Sequence, residues 1–190
     1  MIIKYKEYLD FLDSKLKNMF EKQKSMIKCK RGCSLCCERG KYPMSELEYI
    51  YTLMGYEALD EDKQSIVESQ IKELLSKPMP DSYVCPFLIN HECSIYNNRS
   101  IICRTFGLMS YDEKMVKKIP FCVDEKLNYS DVFDFENSRV VRKAPDGTEP
   151  LAFNIDRTFL RNKDFETKFG IFFGEDKALY EWLNADFSKK

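Results

Sequence analysis

The sequence predicts an α+β fold in a single domain over residues 1–190, with N-terminal helices around a cysteine-rich core at 29–106. Short strands and hairpins fill the C-terminal half, and a helix closes the chain. Three observations predict this. Apolar residues recur at three- and four-residue steps near the N-terminus, the mark of amphipathic helices. Seven of the eight cysteines fall between Cys29 and Cys103. Beyond Phe106 the pattern changes to short β-prone runs separated by turn residues.

Residues 3–26 read as the first helix. Tyr5, Tyr8, Leu9, Leu12, Leu16, Met19 and Phe20 form its apolar stripe, and mixed-sign charges on the other face fit a core-packed helix better than a membrane-surface one. Ser45 and Glu48 make a capping box for a short helix through Tyr49, Ile50 and Leu53 that stops at Gly55. Glu46 and Glu48 are read as first-turn residues, where the helix dipole favours acid, ahead of metal-binding or acid–base roles. Asp60 is an N-cap for a helix with Ile66, Val67, Ile71, Leu74 and Leu75 on one face, stopped by Pro78 and Pro80.

The stretches 86–88 and 93–96 read as extended pieces joined at Asn90, His91 and Glu92. Residues 97–100 turn, and a short helix carries Cys103 and Arg104. Leu108–Tyr111 and Met115–Ile119 flank a hairpin turn at Asp112, Glu113 and Lys114. Val140 and Val141 lie on one side of a turn at Pro145, Asp146 and Gly147, with Leu151–Phe153 on the other. Phe159, Phe165, Phe169, Phe172 and Phe173 are expected in the core, and 175–187 closes the chain as a helix carrying Leu179, Trp182 and Leu183. This half carries no recognisable catalytic motif.

The cysteines carry the chemistry. Cys29, Cys33, Cys36 and Cys37 crowd one stretch, and Cys85, Cys93 and Cys103 punctuate a second, with Cys122 further on. Such spacing lets thiolates from a tight loop converge on one metal or cluster while distant residues supply the remaining ligands. Disulfides and unrelated buried thiols are the competing readings. The N-terminal residues 1–7 lack the apolar run of a signal peptide, and eight cysteines in 190 residues fall short of a disulfide scaffold. A cytoplasmic location, where thiols stay reduced, is therefore expected, and metal is favoured.

Charge excludes other classes. The formal net charge is -1, from 30 basic and 31 acidic residues, so no global field draws the chain to nucleic acid. No 18-residue apolar run suggests a membrane span. Lys22, Lys24, Lys28, Lys30, Arg31, Arg39 and Lys41 make a locally basic segment around the first cysteines. Nucleic-acid contact is one use for it. Offsetting a four-thiolate zinc site of net charge about -2 needs no partner and is preferred. His91, the sole histidine, is read as a turn residue ahead of a ligand.

The order of Cys29, Cys33, Cys36 and Cys37, then Cys85 before Pro86, Phe87 and Leu88, then Cys93, Ile95, Tyr96, Arg99, Cys103, Arg104 and Phe106 resembles the YkgJ-type cysteine cluster family. That bacterial family is described as zinc- or iron-chelating, and the same cluster occurs in flagellin lysine N-methylases. The match covers about residues 29–106. It implies metal-binding roles for Cys29, Cys33, Cys36, Cys37, Cys85, Cys93 and Cys103. Ser100 stands where the family usually has proline, and Ser34 where it often has glycine. Cys122, also counted as a ligand candidate, lies outside the core pattern, and the long extra region of a full methylase is missing.

Cys36 and Cys37 are adjacent, so either one ligates or the two serve different metal atoms. Zinc and a [4Fe–4S] cluster both accept soft sulfur, with a slight preference here for the cluster. The spacing of Cys29, Cys33 and Cys36 is also that of radical S-adenosylmethionine enzymes, but the alternating strands and helices of their barrel are not predicted around it. Arg99 and Arg104 bracket Cys103 as candidate cofactor-binding residues, with hydrogen bonds to thiolates or a turn as the structural alternative. Three function classes follow: a metal-cluster protein, an S-adenosylmethionine-dependent methylase relative, and a zinc-organised interaction module with an unknown protein partner.

Overall fold

Residues 1–30, 32–140 and 143–188 are described by a computed structural model. In chain order its helices and strands are α1 (Ile2–Lys22), α2 (Leu35–Glu38), β1 (Pro43–Ser45), α3 (Glu46–Glu57), α4 (Glu61–Leu75), β2 (Leu88–Ile89), β3 (Glu92–Cys93) and α5 (Ile101–Thr105). There follow β4 (Ser110–Tyr111), β5 (Lys117–Lys118), β6 (Phe133–Asp134), β7 (Arg139–Val140), α6 (Arg157–Leu160), α7 (Lys163–Phe169), β8 (Asp176–Ala178) and α8 (Leu179–Phe187). The α+β class is as predicted. All four sheets are antiparallel pairs: β1–β8, β2–β3, β4–β5 and β6–β7. Among the described residues no helix is long and apolar enough to cross a membrane.

The chain divides into two compact units. One comprises residues 3–30 and 104–171, the other 31–103 and 172–190. In the first, α1 buries the predicted stripe of Tyr5, Tyr8, Leu9, Leu12 and Leu16. Tyr8 donates its hydroxyl to the Leu160 carbonyl at 2.6 Å and packs its ring on Phe165 and Phe169. The helix ends four residues before the expected boundary. Gln23, fully buried, turns its amide to the Lys22 and Glu149 carbonyls and accepts from the Leu151 N–H at 2.9 Å, satisfying the last helical carbonyl and backbone groups beyond the helix. Met26, Met109, Tyr129, Val132 and Ala144 form a second apolar cluster.

The 110–118 hairpin pairs Ser110 with Lys118 and Tyr111 with Lys117, as predicted. The turn at 145–147 also forms, closed by Gly147 N–H on the Ala144 carbonyl. Val140 pairs instead with Phe133, and Val141 lies outside the described residues. Two short helices, α6 and α7, were not predicted. Phe159 and Phe172 do not enter the core. They are 40 % and 63 % exposed, whereas Phe173 is buried.

In the second unit β1 and β8 pair in the register Pro43 to Ala178, Met44 to Lys177 and Ser45 to Asp176. The closing helix therefore starts at Leu179 rather than 175, because the preceding residues are taken into the sheet. Trp182 donates to the Met44 carbonyl and stacks on Tyr49 with centroids 5.2 Å apart. The capping box at Ser45 and Glu48 and the Asp60 cap both form. Helix α3 runs through Gly55 to Glu57, past the predicted stop. The glycine serves close approach: a Cβ there would lie 2.5 Å from the Asn98 Cβ and 3.2 Å from the Ile95 Cβ.

That approach predicts the effect of Gly55→Ala. Alanine raises helix propensity, but the clash falls on a Cβ that cannot swing away. A net destabilisation of about 1–3 kcal/mol is expected, read as a lower midpoint in urea unfolding.

Candidate metal centre

The two cysteine stretches are laced together by backbone. Cys85 N–H donates to the Cys37 carbonyl at 2.7 Å, and Tyr83 and Gly40 exchange a pair of bonds at 3.0 and 3.3 Å. Leu88 N–H returns to the Cys85 carbonyl, and β2 pairs Leu88 with Cys93 across a two-residue turn at Asn90 and His91. Both turn residues have positive φ, 49° and 62°, as a tight hairpin of this kind requires. Glu92 belongs to the strand rather than the turn.

The remaining approach to Cys103 is pinned to α3. Tyr51 and Thr52 donate to the Asn97 and Asn98 carbonyls, and the Asn98 amide donates to the Tyr51 carbonyl. Glu48, 1 % exposed, accepts from Ser45 N–H with one carboxylate oxygen and from Ile101 N–H with the other, at 2.9 and 2.8 Å. Its helix-start role is thus as predicted, and it also holds the first N–H of α5.

This frame brings Cys36, Cys37, Cys85, Cys93 and Cys103 into one electrostatic neighbourhood. Cys36 and Cys37, despite being adjacent, hydrogen-bond through their side chains. Cys37 keeps the shared proton and is pushed up, first by that bond and then by burial. Cys36 accepts it and is lowered to about 7, with the Arg99 charge assisting. Burial pushes up Cys85, Cys93 and Cys103, the last to about 11, and neighbouring thiolates add to each. Arg99 opposes this at Cys93 and Cys103. Its guanidinium lies 3.9 Å from the Tyr96 ring centroid. The Tyr42 hydroxyl is also held protonated, by burial first and then by Cys85, Cys37, Cys103 and Cys36.

None of the eight cysteines, all of them among the described residues, is joined in a disulfide. As placed, no three His, Cys, Asp or Glu side chains among the described residues form a group that could hold a metal ion. The donor set nevertheless fits zinc or iron in its chemistry: soft sulfur donors, more than four of them, with a cation beside them. Cys33, in the same unit, is partly exposed ahead of α2.

Cys29 and Cys122 belong to the other unit. Cys29 is exposed and Cys122 is buried in a short 3₁₀ turn. Asn128, fully buried and missed by the sequence reading, organises Cys29. Its oxygen accepts from Lys28 and Cys29 N–H at 2.8 and 3.1 Å, and its amide donates to the Cys29 sulfur at 3.1 Å and the Gly107 carbonyl at 2.8 Å. No local signal marks it, because every partner is distant in sequence except by folding.

The other candidates are engaged structurally. Arg104 is buried and paired with Asp13 at 2.5 Å. His91 is exposed, with Nδ1 3.1 Å from Ser34 Oγ and 3.6 Å from a Glu38 oxygen. In the basic segment Lys24 pairs with Glu21, Lys28 with Asp131 and Lys41 with Asp81. Arg31 lies outside the described residues.

Fold and thiol group together define a small α+β protein with a sulfur-rich donor set. The chain belongs to the CxxCxxCC family, described as a "putative zinc- or iron-chelating domain", whose model matches residues 28–130. No curated protein and no solved structure matches it significantly.

Two measurements follow. Asn128→Ala leaves two N–H groups without their acceptor and is expected to cost about 1–3 kcal/mol in chemical unfolding. Zinc added to the reduced chain at pH 7 is expected to release protons, because burial holds Cys85, Cys93 and Cys103 protonated and any thiol that ligates gives up its proton. Protons compete with metal, so affinity falls as pH falls, and a pH-stat titration reads both effects.

Proposed function

We propose that the chain is a metal-binding protein whose centre is a single thiolate-ligated site drawn from Cys36, Cys37, Cys85, Cys93 and Cys103. The observation that carries this is the mutual electrostatic influence of these thiols within one unit, with Arg99 as their cation. The family supports zinc or iron as the metal. The finer reading is a [4Fe–4S] cluster. Cys36 and Cys37 supply two sulfurs from the first stretch, and Cys85, Cys93 and Cys103 of the second supply the rest. When bound, the group would supply one-electron redox chemistry or a structural cross-link, while Arg99 offsets thiolate charge and Tyr42 covers the sulfurs from water. In this reading Arg99 serves the centre rather than S-adenosylmethionine, Arg104 is tied to Asp13, and Cys122 is a core residue.

Elemental and sulfide analysis with UV–visible spectroscopy of anaerobically purified protein tests this. About four iron and four sulfide per chain are expected. A colourless protein with about one zinc per chain would overturn the cluster but keep the thiolate site. Neither metal, before or after reconstitution, would overturn the whole reading. Cys85→Ser and Cys103→Ser are expected to lose most of the metal, and Cys122→Ser to retain it. Arg99→Ala is expected to lower metal retention.

A further inference from the structure

We infer that Ser100 tunes the metal-bound sulfur of Cys103, and that Glu48 holds it in place to do so. The inference rests on the thiolate-metal reading above and deepens it. Ser100 is 2 % exposed, and its Oγ donates to Cys103 Sγ at 3.4 Å, an ordinary separation for a bond to the larger sulfur atom. A hydroxyl shielded from water gives its proton to the acceptor the protein provides, and here that acceptor is a ligand sulfur.

The geometry is fixed from outside the helix. Helix α5 has only five residues, too few to set its own orientation. Its first N–H, at Ile101, is taken by a buried carboxylate from α3, and the other oxygen of that carboxylate is tied to Ser45 N–H. Ser100 immediately precedes Ile101, so the same clamp that seats the helix seats the hydroxyl. A hydrogen bond draws electron density from a ligating thiolate, which lowers the energy of its lone pair and alters its hold on the metal. Ser100 is therefore a positioning residue acting through Cys103, not a ligand.

The full chain loaded with cobalt(II) tests this, because the thiolate-to-cobalt charge-transfer band reports the sulfur lone pair directly. At equal occupancy Ser100→Ala is expected to move the band to longer wavelength and to weaken cobalt retention about 10-fold. Ser100→Thr, which keeps a hydroxyl, is expected to return both toward the wild-type values. Glu48→Gln is expected to reproduce the band shift, whereas Ser45→Ala, which removes only the hydroxyl half of the capping box, is expected to leave the band in place. Ser100→Gly provides a second hydroxyl-free variant should the alanine form not fold. A band unchanged in the hydroxyl-free variants, or equally shifted in Ser100→Thr, would overturn this inference alone. A wild-type chain with no thiolate–cobalt band would overturn the metal reading along with it.

Discussion

Crowding ionisable sulfur into a small volume is self-limiting: each thiolate that forms raises the cost of the next. The arrangement around Cys36, Cys37, Cys85, Cys93 and Cys103 lives under that constraint. Burial removes water that would screen the charges, and Arg99 opposes them. The Cys36–Cys37 hydrogen bond is one response, sharing a proton where two negative charges would repel. A bound zinc or iron ion is the other, since it neutralises several sulfurs at once.

Holding the sulfurs against that repulsion falls to the backbone. The bonds from Cys85 to Cys37 and between Tyr83 and Gly40 join the two cysteine stretches, and the β2–β3 turn folds Cys93 back beside them. The support behind this lacing is apolar and aromatic. Tyr42 and Tyr83 meet edge to face at 5.3 Å, and Leu179 and Leu183 of α8 lie in the same buried cluster. Glycine enters where backbone or side chains come too close for a Cβ. At Gly40 a Cβ would fall 2.7 Å from the Tyr42 ring.

What was legible in the sequence was local. The stripe of α1, the Ser45–Glu48 capping box, the Asp60 cap and the 110–118 hairpin each carry their signal within a few residues. What was not legible depends on partners far along the chain: the β1–β8 and β6–β7 pairings, the Gln23 clamp and the Asn128 cradle. Gly55 looked like a helix stop because its local propensity points that way, whereas the close approach of Asn98 and Ile95 explains why a glycine stands there. At the site the clustering of the cysteines was evident from type and spacing. Ser100 was read only as a departure from the family's proline, because a hydroxyl-to-sulfur bond three residues away is invisible without the helix between them.

The pairing of β1 with β8 also sets an order of events on the ribosome. All eight cysteines precede residue 176 in the chain, so they leave the exit tunnel before the strand and helix that complete the apolar support behind the sulfurs. Until translation reaches α8, those thiols belong to a half-built scaffold, open to oxidants and to whatever ions the nascent chain meets.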